Sequence, residues 1–182
     1  RITGGSVSTV QGGAGILCIN SSPKIEYCMI MGNSCAVNNA VGGGVCLRNS
    51  PAIITKTFFY NNTAHFGGAI GCDENSNPLI ENCIFSKNRG AYGAAISVLS
   101  QCQPQIVNCS FYRNAADIYY SPDLQGGAVY ASANAFSALR NCILWHNTAT
   151  NQNYNEIAGS AAVTYSNVEG GFAGIGNINC DP

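Results

Sequence analysis

The sequence predicts an all-β solenoid, a single-stranded parallel β-helix of about seven coils of about 26 residues each. The segment 78–88, PLIENCIFSKN, recurs along the chain with the same offsets of proline, apolar residue, cysteine, apolar or aromatic residue and asparagine. The closing asparagines are separated by 28, 27, 26 and 33 residues. Short apolar runs bounded by Gly, Pro, Asn and Ser indicate strands. One such unit cannot bury a core alone, so successive coils must stack.

Composition agrees with one folded domain spanning residues 1–182. Hydrophobic residues make up 46% of the chain and charged residues 9%. The net charge of -1 disfavours a nucleic-acid partner. No apolar run reaches the roughly 20 residues of a membrane-spanning helix. No Cys/His cluster has zinc spacing, so we expect neither a metal nor a cofactor. Because Arg1 lies within an apparent coil, we expect a fragment of a longer protein.

In a stack of coils, equivalent residues form columns about 4.8 Å apart. The repeat predicts two inward apolar columns, one of Ile25, Ile53, Ile80, Ile106 and Leu139, the other of Ile30, Phe58, Phe85, Phe111 and Leu144. It also predicts a corner ladder of stacked amides formed by Asn33, Asn61, Asn88, Asn114 and Asn147. Five copies are too many for one catalytic site, so this ladder is interpreted as structural.

The cysteines divide into a column and a pair. We predict a column of buried free thiols at Cys28, Cys83, Cys109 and Cys142, because parallel Cβ directions hold the sulfurs in poor disulfide geometry. Cys18 and Cys46 each precede a proline by five residues and are the pair best placed for a disulfide. Lys56 stands where the column requires a cysteine. A buried lysine is costly unless paired, so we predict that Lys56 leaves the core through a bulge or a strand end.

Several motifs carry a family resemblance. They are Gly67-Gly68-Ala69-Ile70, the Pro-x-Ile-x-Asn-Cys-x-Phe run of residues 78–85, the run 143–147 (ILWHN) and the closing stretch 163–182 with its final Asp-Pro. The combination resembles right-handed parallel β-helix repeats of bacterial exported and surface proteins, including the polymorphic outer-membrane protein type. The resemblance implies a right-handed coil, an extracellular or cell-surface location, and a role as stalk, adhesin or passenger. Its more distant relatives include carbohydrate-active enzymes.

The repeat also predicts a strip of aromatic and basic side chains on the surface. Aromatic and basic residues lie just before the ladder asparagines, at Tyr60, Lys87, Tyr112, Arg113, Trp145 and His146. Such side chains hold glycans or a neighbouring protein by stacking and hydrogen bonding, or simply cover the corner with their stems. The connections 35–41, 115–125 and 148–157 are longer than the others, which fits either a binding face or drift on a tolerant surface.

Two functional classes remain open. A polysaccharide lyase or epimerase would require its charged residues, drawn from Asp73, Glu74, Lys87, Arg113, Asp117 and Asp123, to converge on one groove. Solvated turns account for the same residues. The favoured interpretation is a non-enzymatic extracellular structural or adhesive segment. Its partners would be extracellular glycans, surface proteins, or further copies of itself stacked end to end through uncapped strand edges.

Overall fold

A computed structural model describes residues 1–9, 11–35, 37–117, 125–152 and 155–182. The chain winds through about six turns of a parallel β-solenoid, close to the seven expected. A full turn contributes one strand to each of four sheets, which we name A to D and which follow each other in the order C, D, A, B. No helix in the described part of the chain is long and apolar enough to cross a membrane.

Strands are numbered β1 to β24 in chain order. Sheet A consists of β1 (Ile2–Thr3), β4 (Met29–Met31), β8 (Phe58–Tyr60), β12 (Ile84–Ser86), β16 (Ser110–Tyr112), β20 (Ile143–Trp145) and β24 (Asn167–Val168). Sheet B consists of β5 (Ser34–Cys35), β9 (Thr63–Ala64), β13 (Arg89–Gly90), β17 (Ala115–Ala116) and β21 (Thr148–Ala149).

The other two faces have six strands each within the described residues. Sheet C consists of β2 (Ile16–Ile19), β6 (Val45–Arg48), β10 (Ile70–Asp73), β14 (Ile96–Val98), β18 (Val129–Ala131) and β22 (Ile157–Ala158). Sheet D consists of β3 (Lys24–Glu26), β7 (Ile53–Thr55), β11 (Leu79–Glu81), β15 (Gln105–Val107), β19 (Ser137–Arg140) and β23 (Ala161–Thr164).

Parallel pairing in register stacks equivalent side chains inside the rod. The inward column of sheet D is Ile25, Ile54, Ile80, Ile106, Leu139 and Val163, and that of sheet A is Ile30, Phe59, Phe85, Phe111, Leu144 and Val168. The ring of Phe85 stacks on Phe59 at 4.9 Å and on Phe111 at 4.7 Å between centroids. Each buried side chain contributes about 1.5–3 kcal/mol before the entropy of ordering is subtracted.

The second coil corrects the sequence-based register by one residue. The repeat predicts Ile53 and Phe58 in the core and Asn61 in the ladder, but all three face outward. Ile54, Phe59 and Asn62 take their places. Pro51 precedes its inward isoleucine by three residues, whereas Pro78 precedes Ile80 by two. Because a strand alternates faces at every residue, one extra residue exchanges inside for outside.

The same correction accounts for Lys56. The column position in this coil belongs to Thr57, which is buried, while Lys56 is the exposed corner residue before it, with φ 49°. Its ammonium lies 2.8 Å from the Tyr27 hydroxyl and 4.9 Å from the centroid of that ring. The prediction that Lys56 avoids the core is confirmed, because Lys56 lies at a corner directly after the end of β7.

The cysteine column requires a short side chain that can donate a hydrogen bond. Its members at the corner between sheets D and A are Cys28, Thr57, Cys83, Cys109, Cys142 and Ser166. Each of the polar side chains donates to the carbonyl two residues earlier, at 3.2 Å for Cys83 to Glu81, 3.0 Å for Thr57 to Thr55 and 2.9 Å for Ser166 to Thr164. Serine and threonine therefore replace cysteine here because they keep the donor and the small volume.

The predicted Cys18–Cys46 disulfide is wrong, and all ten cysteines are free. Cys18 pairs with Leu47 across β2 and β6, and Cys46 pairs with Leu17. Successive residues point to opposite faces of a sheet, so Cys18 joins the core while Cys46 faces away from it. Burial raises the pKa of the Cys46 thiol to about 12, which leaves it protonated at neutral pH.

The asparagine ladder occupies the buried corner between sheets A and B. Its members are Asn33, Asn62, Asn88, Asn114 and Asn147. Each Nδ2 donates to the Oδ1 of the next coil, at 2.9, 3.0, 2.9 and 2.8 Å in chain order. From Asn62 onward, Nδ2 also donates to a carbonyl of the preceding coil's sheet A strand, as in the 2.9 Å bond from Asn62 to Ile30. The ladder therefore satisfies polar groups that the turn would otherwise bury unpaired.

The adjacent residues Asn61 and Asn62 allow the register to be tested. We expect Asn62→Ala to lower the free energy of unfolding by roughly 2–4 kcal/mol, because it leaves the buried Asn33 donors without their acceptor. Asn61→Gly should change it little, since Asn61 is exposed and glycine accepts its φ of 52°. Urea denaturation of the two variants measures the difference. Equal losses from both substitutions would contradict the register.

Candidate functional site

The predicted aromatic and basic residues meet along the edge of sheet A next to the ladder. We call Tyr60, Lys87, Tyr112, Arg113, Trp145 and His146 the edge strip. Tyr60, Tyr112 and Trp145 end their strands in one outward column. Lys87, Arg113 and His146 follow at the corner, with φ values of 55°, 54° and 56°. Tyr60 therefore lies one column away from its predicted position, because of the shift in the second coil.

Each of the two permanent cations in the edge strip lies over a ring. The Lys87 ammonium is 5.6 Å from the Tyr60 centroid, and the Arg113 guanidinium carbon is 4.9 Å from that of Tyr112. In the part of the chain that the structure describes, no ion pair includes Lys87 or Arg113. The strip thus presents two positive charges, held in place by aromatic faces, that no carboxylate of the described residues neutralises.

An apolar surface adjoins the strip. The first outward column of sheet A reads Met29, Phe58, Ile84, Ser110, Ile143 and Asn167, and Ile84 is 51% exposed. The outer face of this sheet is therefore largely apolar, with Lys87 and Arg113 at one edge and Lys56 at the other. Exposed apolar side chains grouped on one face in this way are typical of an interaction surface.

Towards the C-terminus the strip ends in two carboxyl groups. His146 Nδ1 lies 3.2 Å from Glu169 Oε1, and Glu156 receives the last bonds of the ladder, from Asn147 Nδ2 at 2.6 Å and Asn147 N at 3.1 Å. Glu156 is 6% exposed. Burial raises its pKa to about 8, with Glu169 adding to the rise and Asn147 opposing it. Both carboxyls line a cavity of about 540 Å³ that also includes Phe172.

Glu156 reaches the ladder from a position that is alanine in the three preceding coils and glycine before them. The hydrogen bond from the Ala128 amide to the Glu156 carbonyl matches that from Ala95 to Ala128. In place of a small inward methyl, the sixth coil carries a side chain long enough to reach Asn147. The carboxyl therefore ends the ladder by accepting both donors of the last asparagine.

The charged residues of the enzyme hypothesis do not come together. Asp73 and Glu74 lie at the corner between sheets C and D, across the rod from Lys87 and Arg113. Asp117 pairs with Arg89 at 3.0 Å beside sheet B. Asp123 lies outside the described residues. Within the described ranges no group of three or more His, Cys, Asp or Glu side chains could hold a metal ion.

Sequence reasoning missed a second aromatic column. Phe66 and Tyr92 each precede a corner glycine and pair across neighbouring coils, with ring centroids 5.3 Å apart. His65 stacks on Phe66 at 4.6 Å, and Tyr130 approaches Tyr92 at 5.1 Å. A groove of about 540 Å³ beside them includes Phe66, Asp73 and Leu99. The signal in the sequence is the aromatic residue directly before the corner glycines Gly67 and Gly93.

Comparison with known proteins agrees with this architecture. The family model described as "Right handed beta helix region" matches residues 2–173, nearly the whole chain. The coil is accordingly right-handed, as the sequence resemblance implied. Searches of curated proteins and of solved structures gave no significant match. The family match identifies the fold, and the side chains of the surface must indicate the function.

The position of Glu156 predicts a pH-dependent stability. Its pKa of about 8 in the folded state exceeds the 4.5 of a free glutamate. The folded chain therefore holds this proton more tightly than the unfolded chain. The resulting stabilisation is complete below pH about 4.5 and is lost as the pH rises to about 8. Its size is roughly 5 kcal/mol at most.

Glu156→Gln keeps an acceptor for Asn147 and removes the titration. We expect this variant to lose most of the fall in the free energy of unfolding between pH 5 and 9 that the natural chain shows. Denaturant titrations at a series of pH values measure it, with the exposed Glu74→Gln as the control that leaves the fall intact. An identical pH profile for Glu156→Gln and the natural chain would show that Glu156 does not carry the effect.

Proposed function

Since the chain belongs to the right-handed β-helix family, which supports many activities on one scaffold, we propose a function from its own surface. The protein is an adhesive rod that binds acidic glycans along the edge strip. It works outside the cell, as a segment of a bacterial exported or surface protein. The likeness of its repeat motifs to those of such proteins supports this setting.

One observation carries the proposal. Lys87 and Arg113 project outward over tyrosine rings, without carboxylate partners among the described residues. A carboxylate or sulfate group supplies the missing countercharge, and exposed ring faces such as that of Tyr112 offer stacking surfaces for sugar rings. Arg113 also presents a planar fork that suits bidentate contact with an oxyanion.

The repeat favours a polymer over a single sugar. Equivalent contacts recur at about 4.8 Å along the rod, so one chain of saccharides meets several of them at once. A nucleic acid is a poorer match. Proteins that bind it through its backbone neutralise roughly 6–10 phosphates, and the edge strip offers two permanent cations and one histidine.

Paired lysine substitutions test the edge strip. Lys87→Gln should weaken binding to alginate or hyaluronan by roughly five- to thirty-fold, because a charged contact to the glycan is worth about 1–2 kcal/mol. Lys56→Gln is the matched control, since Lys56 is also a corner lysine with positive φ over a tyrosine ring, but at the opposite edge of sheet A.

Binding is measured by titration calorimetry, with neutral dextran as the uncharged polymer. Affinity for the acidic polymers should fall as salt increases, and Arg113→Gln should act like Lys87→Gln. Equal binding by the Lys87 and Lys56 variants, or equal binding of dextran and alginate, would rule out the edge strip as an acidic glycan site.

A second candidate function is end-to-end assembly. In the described part of the chain, β2 and β3 pair with a neighbour on one side only, and so do β22 and β23. Unpaired strand edges recruit other strands. Electron microscopy of the chain at micromolar concentration should then show filaments one rod wide. Isolated particles at all concentrations would exclude this assembly.

A further inference from the structure

The outer face of sheet D differs between its two halves. Its first outward column reads Lys24, Ile53, Leu79, Gln105, Ala138 and Ala162, and its second reads Glu26, Thr55, Glu81, Val107, Arg140 and Thr164. Large apolar side chains occupy the N-terminal half of the first column and alanines occupy the C-terminal half. The face therefore protrudes in its N-terminal half, which we call the rise, and is recessed in its C-terminal half, which we call the dip.

The rise and the dip are both accessible. Ile53 is 43% exposed, and Leu79 beside it is half-buried. The dip is a groove of about 410 Å³ whose floor includes Ala138 and Ala162 and whose sides include Phe136 and Arg140. The apolar residues that protrude in one half thus match in character the groove that opens in the other.

Two charged residues of the second column are also divided between the two halves of the face. Glu81 lies in the third coil and Arg140 in the fifth, with Val107 between them in the column. Two coil spacings put them roughly 10 Å apart, too far for an ion pair within one molecule. Neither joins an ion pair in any described range. Glu81 on the rise interacts with the nearby Lys56 ammonium without forming an ion pair with it, and Arg140 beside the dip has no ion-pair partner among the described residues.

We propose that two copies of this chain pair face to face through sheet D, with their rods antiparallel. The two-fold axis runs along β15, the fourth strand of the face. This operation sets the third coil of one copy against the fifth of the other. Leu79 then faces Ala138, Ile53 faces Ala162, and Glu81 faces Arg140, each twice because the interface is isologous. Val107 meets Val107 at the centre.

Other arrangements lose these matches. Moving the axis by half a coil sets Glu81 against Val107 and Arg140 against Thr55. Parallel rods related by an axis along the rod set Glu81 against Leu79 and Arg140 against Ala138. Both leave charges opposite apolar or uncharged groups, which costs free energy. The outer face of sheet A is apolar along most of its length and selects no such register.

The interface is small. Five coils span roughly 24 Å along the rod, and three-residue strands are roughly 10 Å wide, so the pair buries less than the about 800 Å² per partner of a standard interface. We therefore expect a reversible dimer that forms at tens to hundreds of micromolar and weakens with salt. End-to-end assembly grows without limit, whereas this pairing stops at two copies.

A charge exchange tests the pairing by analytical ultracentrifugation over about 10–500 µM. Arg140→Glu and Glu81→Arg should each raise the dimer dissociation constant at least roughly tenfold, because each sets like charges against each other. The double variant should restore it to within about threefold of the natural value. Arg113→Glu makes the same change of charge on the edge strip and should leave dimerisation unchanged.

A shape variant provides a second readout. Ala162→Arg fills the dip opposite Ile53 at an exposed position and should also abolish the dimer, with circular dichroism verifying the fold. A natural chain that stays monomeric at 500 µM, single exchanges without effect, or a double variant that fails to recover would overturn the proposal. Because glycan binding uses sheet A, either proposal can fail without the other.

Discussion

Main-chain hydrogen bonds join every coil of this rod to the coil before and the coil after, and the asparagine ladder continues that contact through a buried corner. Each ladder amide uses its oxygen for the preceding coil and its nitrogen for the following one. Such chains polarise in one direction, and each bond strengthens its neighbours. The last asparagine needs an acceptor for each of its two donors, its main-chain N–H and its Nδ2. A glutamate in an alanine position meets that need, and its burial is why its carboxyl holds a proton near neutral pH.

In-register stacking also governs the surface. Because each residue lies over its equivalents, a side chain chosen at one position acts together with the same column in neighbouring coils. The edge strip is a column of aromatic residues beside a column of corner residues, and the face of sheet D is a pair of columns whose character changes halfway along the rod. Interaction surfaces on a solenoid are therefore extended along its axis, and they suit partners that are themselves linear or antiparallel copies.

At the corners of the rod, adjacent residues have different roles, one structural and one at the surface. At each of two corners a residue with positive φ precedes a buried donor, as Lys56 precedes Thr57 and Lys87 precedes Asn88. The buried member must be small and polar, and this requirement keeps it constant in type. The exposed member carries no such requirement. Tyrosine, lysine, asparagine, arginine and histidine all occur there, and they give this rod its particular charges.

The repeat period determined the fold by itself, because a core position that recurs every 26 to 33 residues with strand-like runs has no other way to be buried. It also indicated which residue types would form the ladder, the apolar columns and the edge strip. In the second coil it could not choose within the doublets Ile53-Ile54, Phe58-Phe59 and Asn61-Asn62. Either member suits the column by type, and the backbone alone decides which one faces inward.

Tertiary structure decided the features that depend on the side of a sheet to which a side chain points and on the length of that side chain. Cys18 and Cys46 look alike in sequence, but a shift of one residue between their strands places them on opposite sides of sheet C. Glu156 lies nine residues from Asn147, at an offset unrelated to the repeat, and joins the ladder only because its side chain is long. The groove opposite Leu79 and Ile53 arises from alanines two to four coils away. The repeat period determines which residues are equivalent, whereas side-chain length and orientation determine which of them come into contact.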